Sequence, residues 1–120
     1  MWVFTETGFV SIVRHWDRPG YLLVRARDKQ SLRDISLAEN INVLKTPDND
    51  YPYRVIVSDK AVAAWTKSMI GSIDYTNFKS RVQITRGKKY ADALLKVWSA
   101  MFDVEDKASR SGRSRYQKWR

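Results

Sequence analysis

Apolar residues along this chain alternate at a period of two in some stretches and recur at helical spacing in others. In "YLLVRARD", Leu22, Val24 and Ala26 share one face of a strand, while Leu23, Arg25 and Arg27 share the other. "GFVSIVRHW" precedes it across "DRPG", a turn made of Pro and Gly, so the two runs predict a hairpin. "DKQSLRDISLAEN" then offers Asp28 as an N-cap and Leu32, Ile35 and Ala38 at helical spacing. The order repeats. "INVLKT" and "YPYRVIV" predict a second hairpin around "PDND", with Tyr53, Val55 and Val57 inward and Arg54 and Ile56 outward. Pro52 lacks an amide donor and belongs at a strand start or an edge. "SDKAVAAWTKSMIG" follows, capped by Ser58, striped by Val62, Trp65 and Met69, and stopped at Gly71.

Two further helices are expected. "IDYTNFKSRVQITRG" has Asp74 as N-cap and Tyr75, Phe78 and Val82 on one side. After Gly87, Ala91, Leu94, Leu95, Trp98, Met101 and Phe102 form an unbroken i, i+3, i+4 array, the strongest periodic signal in the chain. So wide a stripe predicts burial in the monomer's core, with a second copy of the protein as the alternative cover. The fold class expected is α+β: a four-stranded antiparallel sheet from two ββα units, with additional C-terminal helices. The helices of Leu32, Trp65 and Trp98 are expected to supply the core.

Length and charge sharpen this picture. The 120 residues suit one domain, placed at residues 1–106, followed by a basic, flexible tail at 107–120. The formal net charge is +9; residues 1–106 hold 16 basic and 13 acidic groups, and the last fourteen add six cations and no acid. With no cysteine, neither a disulfide framework nor a thiolate metal site can form. No apolar run approaches the ~20 residues of a membrane span, and no signal-peptide pattern is seen, so a cytoplasmic location is expected.

The segments "GFVSIV", "LLVRARD", "TPDNDYPYRV", "IDYTNFK" and "VWSAM", in this order, resemble a set of small, uncharacterised proteins of bacteria and their phages. The likeness covers roughly residues 1–102 and stops before the basic tail. It implies a single compact domain. The set has no established activity, so no functional residue is carried over.

Little in the chain points to catalysis. His15 is the only histidine; a relay drawn through Ser11 and Asp17 lacks the strand-to-helix elbow that presents an activated serine. Zinc needs more ligands than one His and no Cys supply. Asp48 and Asp50 are paired carboxylates of the kind that hold Mg²⁺, but Asp and Asn are also turn formers, and turn chemistry is the stronger reading. No glycine-rich phosphate loop is present. No cofactor or metal is expected. A metal-independent site of Arg25, Arg27 and Arg54 with Tyr51 or Tyr75 is the remaining enzymatic or small-ligand alternative. Against it stands a solvated face, or pairing of these arginines with Asp48, Asp50 and Asp74.

The same arginines suit nucleic acid better. On the outward sheet face they stand among Phe9, Val13, Leu23 and Ile56, a mixture of apolar surface and guanidinium that single strands use. This holds unless the C-terminal helix covers that face. Lys79, Arg81, Arg86, Lys88 and Lys89 form a second basic cluster around Gly87. In the tail, Lys107, Arg110, Arg113, Arg115, Lys118 and Arg120 alternate with Ser and Gly, with Tyr116 and Trp119 interleaved. Such one-signed, weakly hydrophobic sequence is disordered alone. It fits phosphate contacts plus base stacking, with anionic lipid or an acidic protein groove as competitors. The expected function is therefore a small non-enzymatic binding protein that engages nucleic acid or a nucleoprotein through its basic surface and tail, with a homodimer possible. The alternative is a phage- or mobile-element-encoded interaction module that inhibits a host nucleic-acid machine.

Overall fold

Pro19 and Gly20 close the central hairpin as read from sequence. Gly20 has φ +81° and the Tyr21 amide donates to the Arg18 carbonyl at 3.2 Å, the arrangement of a type II turn. The computed structural model describes residues 1–106. The strands β2 (Gly8–Arg14) and β3 (Tyr21–Ala26) flank this turn, and β5 (Tyr53–Ser58) pairs antiparallel with β3 along its whole length. Two more strands complete the sheet: β1 (Trp2–Thr5) beside β2, and the two-residue β4 (Leu44–Lys45) beside β5. The order is β1-β2-β3-β5-β4, antiparallel throughout.

The sheet thus has five strands where four were expected. β1 is the addition; its turn is held by the Thr5 hydroxyl, which accepts from the Thr7 and Gly8 amides at 3.2 and 3.1 Å. The run "INVLKT" gives only a stub of strand. Asn40 adopts φ +52° at the C-cap of the preceding helix. Ile41 and Val43 then turn down to pack on the core, so only Leu44 and Lys45 remain to pair.

One face of the sheet carries the core. Val10, Ile12, Val24, Ala26, Val55 and Val57 are buried there against α1 (Arg33–Glu39), its leading 3₁₀ turn (Gln30–Leu32) and α2 (Asp59–Gly71). Leu32 and Ile35 are completely buried, Val62 nearly so, and Trp65 packs against them. Ser58 caps α2 as expected, accepting from the Ala61 amide at 3.2 Å.

The last two helices behave differently. α3 (Phe78–Arg86) is capped by Asn77, whose Oδ1 accepts from the Ser80 amide at 2.9 Å. The cap predicted at Asp74 is not used; that carboxylate pairs with Arg81 instead, at 2.7 Å. Gly87, at φ +88°, turns the chain into α4 (Lys88–Ala100), which continues as a 3₁₀ turn over Met101–Val104. Of the long apolar stripe on α4 only Ala91 is fully buried. Trp98 is 61% exposed and Met101 59%, so α4 does not supply the core that its periodicity predicted. The helix stands at the margin of the sheet, and its stripe reaches past that margin. Among the described residues no helix is long and apolar enough to cross a membrane.

Candidate nucleic-acid interface

The second face of the sheet follows from the register. Ser11, Arg25 and Arg54 lie in one cross-strand row, extended by Trp2 on β1 and Leu44 on β4. Val13, Leu23 and Ile56 form the next row. On the other side lie Phe4 and Phe9, stacked at 4.6 Å between centroids, with Trp2 edge-on to Phe9 at 6.0 Å. This face carries the mixture of apolar and guanidinium groups that the strand alternation required.

The loop between β4 and β5 brings its acid to these arginines. Arg25 Nη1 lies 3.3 Å from one Asp50 carboxylate oxygen, and Arg54 Nη2 lies 3.7 Å from the other. Arg27 Nη1 donates to the Asp50 carbonyl at 2.6 Å. Beneath them the Tyr51 ring is buried, with the Arg25 and Arg27 guanidinium carbons 4.8 and 4.5 Å from its centroid. Arg25 also donates to the Ser11 hydroxyl at 2.8 Å, and Arg54 Nε donates to the Thr46 hydroxyl at 3.1 Å. Arg25 Nε is buried with no partner among the described residues. Two guanidiniums therefore share the Asp50 carboxylate and a third, Arg27, holds the backbone carbonyl of the same residue, which leaves the cluster cationic. The pairing expected with Asp50 is present, that with Asp74 belongs to Arg81, and neither removes the surplus charge.

Beside the arginines the sheet face runs into a cleft of about 490 Å³ under α4. Trp2, Phe4, Phe9 and Tyr51 line its sheet side, Ala93, Leu94 and Val97 its helix side, and Arg27, Asp28, Ser31 and Tyr90 its end. α4 thus walls one margin of this face; in the β3–β5 rows Leu23, expected on an open platform, is buried, and Val13 and Ile56 are half-buried. Sequence reasoning missed Trp2 and Phe4. The alternation in "WVFT" immediately before the "ETG" turn was the signal available for them.

The second basic cluster divides. Arg86, its side chain only 8% exposed, ion-pairs with Asp28, donates to the Thr7 carbonyl at 2.8 Å and stacks over the Tyr90 ring at 4.3 Å. Burial alone would push the Asp28 carboxyl up; its hydrogen bond from Ser31 and the Arg86 guanidinium outweigh that and hold it below the usual range. Burial also pushes the Tyr90 phenol up, and its hydroxyl sits close to Ser31 without a hydrogen bond of ordinary geometry. Arg81 bridges Glu6 and Asp74, and the Thr85 hydroxyl donates to the Glu6 carbonyl. These contacts fasten α3 and α4 to the β1–β2 turn. Lys88 pairs with Asp92 one turn on, which raises the ammonium pKa and lowers that of the carboxyl. Lys79 and Lys89 are exposed.

The remaining candidates are quickly placed. Ser11 is engaged by Arg25, while His15 stacks on Trp16 and accepts the Asp17 amide through Nδ1 at 3.1 Å, so the three groups face different partners. Among the described residues no group of three or more His, Cys, Asp or Glu is placed to hold a metal. Arg110, Arg113, Arg115, Tyr116, Lys118, Trp119 and Arg120 lie outside the described residues. Comparison with known protein families, with curated proteins and with solved structures finds no match to this chain.

Proposed function

We propose that this protein binds single-stranded nucleic acid on the second face of its sheet, with the basic residues after Asp106 adding contacts to the same strand. The observation that carries the reading is the junction of two features. Arg25, Arg27 and Arg54 converge on one residue, Asp50, the first and last at its carboxylate and Arg27 at its backbone carbonyl, and the same surface continues into an aromatic cleft bounded by Trp2, Phe4, Phe9 and Tyr51. Guanidinium groups suit phosphate oxygens, and aromatic faces suit unstacked bases. Of these groups Arg27 and Trp2 are the ones most open to solvent, Trp2 at 69%. They are the residues we assign to the first contacts with phosphate and base. Arg25 and Arg54, at 17% and 12% side-chain exposure, act mainly by setting the local field and holding the Asp50 loop. Lys79, Lys88 and Lys89 extend the positive surface along α3 and α4. No bond-making step is assigned to the protein.

The test is a titration of the full chain, and of a version ending at Asp106, against labelled single- and double-stranded oligonucleotides over a range of salt. The reading predicts tighter binding to the single strand and weaker, less salt-dependent binding by the shorter protein. Trp2→Ala should cost about 1–3 kcal/mol of single-strand affinity, the range for one stacked base. No binding by either protein removes nucleic acid from the account. Equal affinities that ignore salt remove the tail.

A further inference from the structure

Arg25 and Arg54 stand directly opposite each other on β3 and β5. Like charges in that position repel, so the pair needs an anion between them. Asp50 supplies one, and the groups aimed at its carboxylate make an anion site. Arg25 Nη1 faces one oxygen at 3.3 Å. Arg54 Nη2 faces the other at 3.7 Å, and the Tyr51 amide donates to that same oxygen at 3.1 Å. The fit is loose. A charge-assisted hydrogen bond to a carboxylate typically spans about 2.7–2.9 Å, and here each guanidinium is met by a single oxygen. Arg25 Nε is left with no partner among the described residues.

The carboxylate is also the part of this site most easily moved. The two arginine side chains are mostly buried, whereas that of Asp50 is 65% exposed. Its loop is closed by other groups: the Thr46 amide donates to the Pro52 carbonyl at 2.7 Å, and the Thr46 hydroxyl to the Tyr51 carbonyl at 2.9 Å. Arg27 holds the Asp50 backbone and not its side chain. Rotation about the Asp50 Cα–Cβ bond therefore frees two guanidiniums and one amide at a single place and leaves the loop as it is. A phosphate group, with its tetrahedral oxygens, can face all three at once. We propose that the Asp50 carboxylate stands in for a phosphate group, and that a phosphate takes its place between Arg25, Arg54 and the Tyr51 amide. With the carboxylate in place those arginines hold the loop; with phosphate in place they hold the phosphate. As a contact to a strand this site rests on the nucleic-acid reading; as a site for phosphate itself it does not.

The test uses the full chain carrying Asp50→Asn, with Asp48→Asn as a control that adds the same charge to the same exposed loop. Inorganic phosphate is the first probe, set against chloride at equal ionic strength and read by thermal melting. In chloride Asp50→Asn melts below the unaltered protein, and phosphate at roughly ten times its dissociation constant raises that midpoint by about 3 °C or more. Asp48→Asn shows a smaller rise, and so does Asp50→Asn combined with Arg54→Gln. If Asp50→Asn does not fold in chloride, its folding in phosphate reads the same effect, and no folding in either salt overturns the inference. A labelled single strand is the second probe. Asp50→Asn binds it about fivefold more tightly, with a slope of log K against log salt steeper by about 0.7, and Asp48→Asn changes both by less. A midpoint that phosphate moves no further in Asp50→Asn than in Asp48→Asn overturns the inference, whatever the strand does. A rise with phosphate and no binding of the strand upholds the site and removes the nucleic-acid reading. A rise with phosphate beside strand binding that Asp50→Asn leaves unchanged upholds the site for free phosphate and overturns it for the strand.

Discussion

Arg86 holds its guanidinium against Asp28, the Thr7 carbonyl and the Tyr90 ring, and so joins three parts of the chain distant in sequence. From sequence it read as one cation in a run around Gly87; nothing in local spacing shows that a lysine two residues on faces solvent while this arginine faces Asp28. Removing one partner of a wholly buried ion pair costs about 3–5 kcal/mol. Asp28 is 41% exposed, so Arg86→Ala should destabilise by about 2 kcal/mol, measured as a lower urea midpoint. The pH dependence has a fixed sign. Asp28 is more acidic folded than unfolded, so its contribution is present above the unfolded value near 3.8 and fades as pH falls through the lower folded value. Asp28→Asn should be less stable at neutral pH and show a flatter acid limb. Parallel stability curves for the two proteins contradict this. Gly8 is a second residue-scale test: a Cβ there would lie 2.2 Å from Ser31 Oγ and 2.8 Å from Ser31 Cα. Gly8→Ala should therefore cost about 1–3 kcal/mol.

At the scale of elements, strands and caps with a local cause were legible, and those with a tertiary cause were not. The β2–β3 hairpin followed from period-two alternation and a Pro-Gly turn, and α2 from the Ser58 cap and the stripe Val62, Trp65, Met69. β4 fell short because Ile41 and Val43 found the core instead of a strand partner. The α4 stripe was legible as a stripe, but periodicity says only that a face is apolar, not what it packs against. The sheet face was legible in the same partial way. Alternation put Arg25, Arg54, Leu23 and Ile56 together, while the approach of Asp50 and Tyr51 depends on a loop whose course the sequence does not fix. Gly87 turns α3 into α4 at φ +88° and ψ 174°, a region essentially reserved for glycine, with open space around its missing Cβ. Gly87→Ala should lower stability by about 1–3 kcal/mol through backbone strain alone, read by thermal or urea melting. An unchanged midpoint contradicts the strain.

For the whole molecule the distribution of charge matters more than its total. Residues 1–106 carry a modest surplus, and several of their cations are tied into pairs, such as Arg81 with Glu6 and Asp74, or Arg14 with Asp59. The cations after Asp106 have no acid among them. The folded part is then expected to supply orientation and base contacts, and the tail most of the salt dependence. Contacts to about six phosphates give a slope of log K against log salt near −4 on single strands and near −5 on duplex. The most direct test is the single-strand affinity of the full chain, of Trp2→Ala with Arg27→Ala, and of the protein ending at Asp106, each measured as a function of salt. The account predicts that the double substitution lowers affinity and lessens the slope by only about 0.7, the share of one phosphate contact, and that truncation flattens the slope far more. Affinity untouched by the double substitution, in a protein that does bind, would contradict the sheet face as the binding surface.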